Sequence, residues 1–206
     1  DYVLDTFVKD ENFYISFVET KNGCETMNVS MAKINNDYLE FKKILDSKEC
    51  AITIQGGRIQ NINILDKKGI LLTTGANIPD LPSQSAQNNE SIFGKILFID
   101  AKSNELEIFS KGHRNPQGLL VIDDLVLSTE HGPKGGDEIN KIILGKNYGW
   151  PISSYGENYY DNYKESEQYK FKKNHKISGF EEPIFAFVPA IGISEIINLP
   201  NTFSKH

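Results

Sequence analysis

Three short segments hold most of the residues that could do chemistry. They are Gly112-His-Arg-Asn-Pro-Gln-Gly118, Thr129-Glu-His-Gly-Pro-Lys-Gly-Gly-Asp-Glu-Ile-Asn140 and Gly145-Lys-Asn-Tyr-Gly-Trp-Pro151. Arg114 offers a planar guanidinium fork suited to a carboxylate. Asn115 and Gln117 add short-range donors and acceptors. Gly132-Pro133 reads as a turn whose carbonyls stand outside any strand ladder, and Pro133 has no N–H to pair. Free carbonyls beside the carboxylates of Asp137 and Glu138 are ligands that a hard cation such as calcium accepts. Each piece alone also has a plain structural reading: a turn, a solvated strand start, a surface arginine.

The elements that must position these residues are short strands separated by turns. Tyr2–Val8, Phe13–Glu19, Met27–Ile34 and Tyr38–Leu45 form a first group. Ile59–Leu65, Ile70–Thr74, Gly94–Ile99 and Glu105–Ser110 form a second, with hairpin turns expected at Asp66–Gly69 and Ala101–Asn104. Leu119–Ile122, Leu125–Thr129, Glu138–Ile143 and Pro183–Phe187 form a third, and Ile191–Ile197 reads as one further strand. Helical periodicity is weak. Four-stranded groups recurring about every 50 residues fit propeller blades, and short strands with turns also fit a sandwich. The third group is interrupted by a polar, aromatic insertion, residues 153–182, with Tyr155, Tyr159, Tyr160, Tyr163 and Tyr169. Such a loop is either a solvated excursion or a cover at the edge of a site.

Composition narrows the function classes. Of 206 residues, 39% are hydrophobic and 24% charged, the range of a globular domain with a real core. A net charge of -6 gives no basic surplus for nucleic acid. The longest apolar run, Ile184–Ile193, contains Pro189 and falls well short of the ~20 residues that a membrane helix needs. Residue 1 is Asp and a strand begins at once, so no signal peptide is read in this stretch. The two cysteines, Cys24 and Cys50, do not form a C-x-x-C pair, which leaves no support for a zinc or thioredoxin reading.

In order and spacing, the three segments closely resemble the soluble quinoprotein (glucose/sorbosone) dehydrogenases, which read G-H-R-N-P-Q-G, E-H-G-P-x-G-G-D-E-[IL]-N and G-x-N-Y-G-W-P. Weaker matches extend outward through Gln55-Gly-Gly-Arg-Ile59, Phe93-Gly-Lys-Ile96, Glu182-Pro183 and Pro189-Ala190, so the resemblance covers about residues 1–200. It implies an all-β, six-bladed β-propeller that binds pyrroloquinoline quinone (PQQ) and calcium and oxidises the anomeric carbon of aldoses. By position, Arg114, Asn115 and Gln117 would face the quinone, with His131 nearby. The carbonyls of Gly132 and Pro133 would hold the calcium that also binds it. Glu138 and Tyr148 would line a second, structural calcium site. A periplasmic or secreted setting is implied as well.

Two departures matter. The family's base is a histidine four residues before the Arg of the G-G-R strand start; that Arg is Arg58 here, and the base position is Ile54. The acid that orients the base falls at Ala76, and the nearest acid is Asp80. General base catalysis contributes typically ~10²–10⁴-fold in rate, so the expected enzyme is an impaired dehydrogenase. The alternative is a non-catalytic calcium-binding propeller module that holds a sugar-like ligand or a protein partner.

The second departure is length. The chain accommodates about three blades (1–50, 53–112, 113–188) and the start of another at 190–206. The remaining blades would come from a longer chain or from a second copy. In such a meander, Cys24 in the second-to-third turn and Cys50 after the fourth strand lie at one end; a disulfide and two free thiols both remain open.

Overall fold

The computed structural model describes residues 1–35, 37–64, 66–77, 84–159 and 170–199. Three four-stranded antiparallel sheets follow one another in chain order. The first comprises β1 (Tyr2–Lys9), β2 (Asn12–Lys21), β3 (Cys24–Lys33) and β4 (Lys42–Asp46). The second comprises β5 (Gly56–Ile64), β6 (Lys67–Thr74), β7 (Lys95–Asp100) and β8 (Leu106–Lys111). The third comprises β9 (Pro116–Ile122), β10 (Leu125–Glu130), β11 (Asp137–Lys141) and β12 (Phe185–Phe187). Each sheet is a simple meander, and its first strand lies beside the first strand of the next, β1 against β5 and β5 against β9. This is the blade arrangement of a partial β-propeller, as the family resemblance implies, and not the sandwich that the strand spacing also allowed.

The middle blade explains why the pattern was readable. Along β6, Ile70 and Leu72 enter the apolar cluster shared with the first blade, beside Val18, Met27 and Ile59. Leu71 points the other way, into the cluster shared with the third blade, beside Ile62, Leu119 and Val126. The same alternation sends Leu97 and Ile99 of β7 to one side and Ile96 and Phe98 to the other. A sheet covered on both faces needs a continuous apolar run, and residues 70–72 and 96–99 supply one. Tight turns fix the registers: Asn22-Gly23, at φ 54° and 74°, joins Lys21 to its partner Cys24 as a two-residue hairpin.

Polar links tie neighbouring blades together. Ser16 donates to the Gly57 carbonyl at 2.5 Å, and the Ile59 N–H donates to Asp5 Oδ2 at 2.9 Å. Thr73 donates to the Pro116 carbonyl at 3.1 Å and the Arg58 Nε–H to the Gln117 carbonyl at 2.6 Å. Gly57 permits the first approach: at φ 89°, a Cβ there would lie 2.3 Å from Leu4 Cδ1.

Three expected elements differ. The fourth strand begins at Lys42, not Tyr38, because its pairing with β3 ends at Met31–Lys42. Tyr38 and Phe41 are exposed. The turn expected at Asp66–Gly69 falls earlier, since Ile64 already pairs with Lys67 and Asp66 takes φ 62°. Ile191–Ile197 forms no strand. The N–H groups of Ile191, Gly192 and Ile193 all converge on one carboxylate oxygen of Asp137, at 3.1, 2.7 and 3.0 Å, so they do not run a ladder.

Cys24 and Cys50 are disulfide-bonded, with Cα atoms 5.3 Å apart. Reciprocal 2.9 Å hydrogen bonds between Glu25 and Ala51 hold the strand start and the chain exit together. A thiol assay on denatured, unreduced protein is therefore expected to find no free cysteine from this pair. Reduction is expected to lower stability by about 3 kcal/mol, the loop-entropy value for a closure of this size.

Candidate functional site

The starts of the inner strands are zipped into one polar end of the fold. Gly75 N–H donates to the Gln55 carbonyl (2.8 Å), Gly94 N–H to Gly75 (2.9 Å), His113 N–H to Gly94 (3.1 Å) and Ala76 N–H to Arg114 (2.8 Å). The third signature segment docks on the first through Tyr148 N–H to the Lys111 carbonyl (2.8 Å) and Trp150 N–H to Gly112 (3.0 Å). Gly112 is required there: its φ is 78°, and a Cβ would lie 2.1 Å from Asn147 Oδ1. The second segment joins through His131 N–H to the Asn115 carbonyl at 3.1 Å. The three segments are thus one structural unit.

Arg114 lies half-buried in this unit, donating from Nη1 to the His131 carbonyl at 2.9 Å, with its guanidinium 5.3 Å from the Trp150 ring centroid. Burial works against its charge, while Glu130 and Asp137 support it. Asn115 and Gln117 are mutual partners: Gln117 Nε2 donates to Asn115 Oδ1 at 2.7 Å. Among the described residues, no donor reaches the carbonyls of Gly132 or Pro133. Asp137, read from sequence as a neighbour for a cation, has another use. It accepts the Gly132 N–H at 3.0 Å on Oδ1 and three N–H groups of residues 191–193 on Oδ2, which leaves its carboxylate surrounded by donors.

Behind these residues lies a buried network of which sequence reasoning assigned only Glu138 and Tyr148. Glu130 and Glu138 are cross-strand partners on β10 and β11, so both carboxylates face one way. Asn140 Nδ2 donates to both at 3.3 Å. His113 Nδ1 contacts Glu130 Oε1, its Nε2 lies 2.8 Å from Ser110 Oγ, and its ring stacks on Tyr148 at 4.7 Å. His175, from the insertion, places Nδ1 3.0 Å from the Tyr148 carbonyl and Nε2 3.5 Å from Glu138 Oε1. The period-two spacing of Ser128, Glu130, Glu138 and Asn140 on paired strands was the available signal for one buried polar face. Nothing in the sequence spacing connects His175 to it. No cluster of three or more His, Cys, Asp or Glu side chains is arranged for a metal among the described residues.

Burial, with Glu130 as the next cause, raises the Glu138 carboxyl from 4.5 to about 8. Between these values the unfolded chain has lost the proton that the folded chain keeps, so stability falls as pH rises from 4.5 to about 8. The slope is about 1.4 kcal/mol per pH unit for one proton. His175 is shifted the other way, held below its ordinary 6.5 by burial, and Lys95, pushed down by burial to about 8, opposes the trend only as pH nears 8, so Glu138 dominates between pH 7 and 8. Melts of the metal-free protein at pH 7 and 8 are expected to show this fall, and Glu138→Gln to abolish it.

At the expected base position, Ile54 is 5% exposed and packs in the apolar cluster with Val18, Met27 and Phe93. Its partner position, Ala76, is 3% exposed. Asp80, Tyr160, Tyr163 and Tyr169 lie outside the described residues. An open polar cleft at the same end is lined by Glu49, Asn77, Gln84, Gln87, Ser91 and Pro151. Lys95 props its rim: the fully buried ammonium donates to the carbonyls of Ser85 (2.7 Å), Ala86 (3.2 Å) and Phe93 (2.8 Å), and burial pushes it down to about 8.

Three antiparallel four-stranded blades, each beside the next through its first strand, define a partial β-propeller. The chain belongs to the glucose/sorbosone dehydrogenase family, whose profile matches residues 2–203. It is 33% identical over 154 residues to the aldose sugar dehydrogenase YliI of Escherichia coli, covering 68% of this chain and 38% of that protein. Over 45 residues it is 53% identical to quinoprotein glucose dehydrogenase B of Acinetobacter calcoaceticus, covering 21% of this chain and 9% of that protein. A crystal structure of a glucose dehydrogenase superposes with a TM-score of 0.77 at 27% identity, covering 93% of this chain and 60% of the other. The chain thus spans less than two thirds of the length of these relatives. No helix among the described residues is long and apolar enough to cross a membrane.

Proposed function

We propose that this chain supplies the cofactor-binding part of a calcium- and PQQ-dependent sugar dehydrogenase whose oxidation step is impaired. PQQ, when bound, supplies a quinone that accepts the hydride equivalent of a sugar's anomeric carbon. Arg114 would neutralise a PQQ carboxylate, and Asn115, Gln117 and His131 would border the quinone. The carbonyls of Gly132 and Pro133 would hold the calcium ion; that no described donor occupies them supports this. The open cleft beside Asn77 and Gln87 would admit a sugar or a related polyhydroxylated ligand. The three blades would be completed by further chain or, as a lesser alternative, by a second copy. The disulfide suits a periplasmic or secreted setting.

The apolar burial of both positions, Ile54 among Val18, Met27 and Phe93, and Ala76 against the Arg114 carbonyl, supports impairment. It equally supports a module that binds calcium and a ligand without turnover. The test is to add PQQ and calcium to the protein and measure quinone binding and dye reduction with several aldoses. Saturable PQQ binding with dye reduction near background is expected. Rapid turnover would remove the impairment, and absence of PQQ binding would remove the cofactor reading. Arg114→Ala is expected to weaken PQQ binding by about 10–100-fold, the range for one charge-assisted contact.

A further inference from the structure

The second cation that the family resemblance puts between Glu138 and Tyr148 does not fit this chain. We infer that the imidazole of His175 takes the place of that cation. His175 is 2% exposed and stands between both expected ligands. Its Nδ1 lies 3.0 Å from the Tyr148 carbonyl oxygen, and its Nε2, which makes no hydrogen bond among the described residues, lies 3.5 Å from Glu138 Oε1. The Tyr148 hydroxyl offers no alternative, because it donates to the Lys141 carbonyl at 2.5 Å and accepts from the Ile143 N–H at 2.9 Å. A calcium ion sits ~2.3–2.6 Å from each oxygen ligand, and ring nitrogens already face both oxygens here. The imidazole is clamped from behind by Tyr155, with ring planes 9° apart and centroids at 5.3 Å.

The replacement is part of the chain, so it cannot diffuse away. His175 is fixed within the insertion by its own carbonyl, which accepts from the N–H groups of Ser178 and Phe180, both at 3.0 Å. On either side, the insertion is sewn to the third signature segment: Lys172 N–H donates to the Ile152 carbonyl at 3.0 Å and Glu181 N–H to Asn147 at 2.8 Å. A tethered group acts at a high effective concentration and does not depend on free ion. The insertion is therefore held over the buried carboxylates without a divalent cation. The cation's other potential ligand is still present, because Asn140 Oδ1 is buried and has no partner among the described residues.

The test uses calcium alone, without PQQ, so its outcome is independent of the quinone reading. Melting temperatures are compared in EDTA and in excess calcium. Wild type and Glu138→Gln are expected to show the same calcium effect, to within about 1 °C. His175→Ala, which vacates the place, and His175→Asn, which keeps a donor for the Tyr148 carbonyl, are expected to gain a calcium-dependent rise of about 5 °C at saturating ion. Adding Glu138→Gln to either variant is expected to remove that rise. A wild-type calcium effect that disappears in Glu138→Gln would overturn the inference, since a cation would then sit there beside His175. So would His175 variants that gain no Glu138-dependent calcium effect, or that calcium fails to restore to the folded state.

Discussion

Ile54→His combined with Ala76→Asp is expected to raise PQQ- and calcium-supported dye reduction with aldoses by about 10²-fold or more. The expectation comes from where the two positions lie. Gly75 N–H bonds to the Gln55 carbonyl and Ala76 N–H to the Arg114 carbonyl, so Gln55, Gly75, Ala76 and Arg114 are linked through their backbones at one end of the blades, with Ile54 one residue before Gln55. A histidine at 54 would stand one residue before this linked group, at the position that the family resemblance gives its base. An aspartate at 76 would be the natural acceptor for one of its ring nitrogens, fixing the tautomer and supporting the imidazolium that forms on proton removal. The pair must be introduced together. Ile54 is 5% exposed, and a lone imidazole there would replace apolar contacts without gaining a partner. Ile54→His alone is expected to destabilise the fold and give little rate; Ala76→Asp alone would bury an unpaired carboxylate and give none. If the double variant folds, binds PQQ and still shows background turnover, the missing pair is not the reason for low activity.

Much of the fold was legible because its strongest signals are local. The apolar runs at 70–72 and 96–99 have one physical reading, a sheet covered on both faces, and both strands are there. The hairpin turn expected at Ala101–Asn104 joins β7 to β8, with Asn104 at φ 58°. The Gly112–Pro151 signature was legible as a unit because its glycines are set by close backbone approach, as Gly112 against Asn147 illustrates. What was not legible depended on pairing across the chain. Tyr38, Leu39 and Phe41 have strand-like composition, yet the pairing with β3 stops at Met31–Lys42 and leaves them outside the sheet. Ile191–Ile197 is apolar enough for a strand, but its donors are drawn to Asp137, 54–56 residues earlier. His175 is a single histidine in a lysine-rich stretch, and nothing nearby marks it as the partner of Tyr148 and Glu138. Sequence-based reading picked out the segments of this unit but not their partners, and partners decide roles: Asp137 looked like a neighbour for a cation and is a backbone clamp.

That clamp sets the second large effect. Asp137→Ala is expected to lower the stability of the protein by about 3–5 kcal/mol, a fall of roughly 10 °C in melting temperature. The side chain is fully buried and holds four N–H groups from two segments, Gly132 on one oxygen and Ile191, Gly192 and Ile193 on the other. Truncation leaves the Gly132 donor without an acceptor in a crowded turn, where a Cβ on Gly132 would lie 2.2 Å from the Gly135 carbonyl oxygen, so water has little room to replace it. The residue 191–193 donors lie nearer solvent and can be partly rehydrated, which keeps the effect below four full charge-assisted bonds. Asp137→Asn is expected to fall between, because one amide oxygen can serve one side of the clamp while its NH₂ opposes the other. The effect should also reach the candidate calcium site, since the released Gly132 turn carries the carbonyls proposed as its ligands. In Asp137→Asn, calcium-dependent PQQ binding is expected to weaken more than the modest loss of stability alone would produce. A variant with wild-type melting and wild-type PQQ binding would show that the four hydrogen bonds are replaceable, and that the turn is held by its glycines instead.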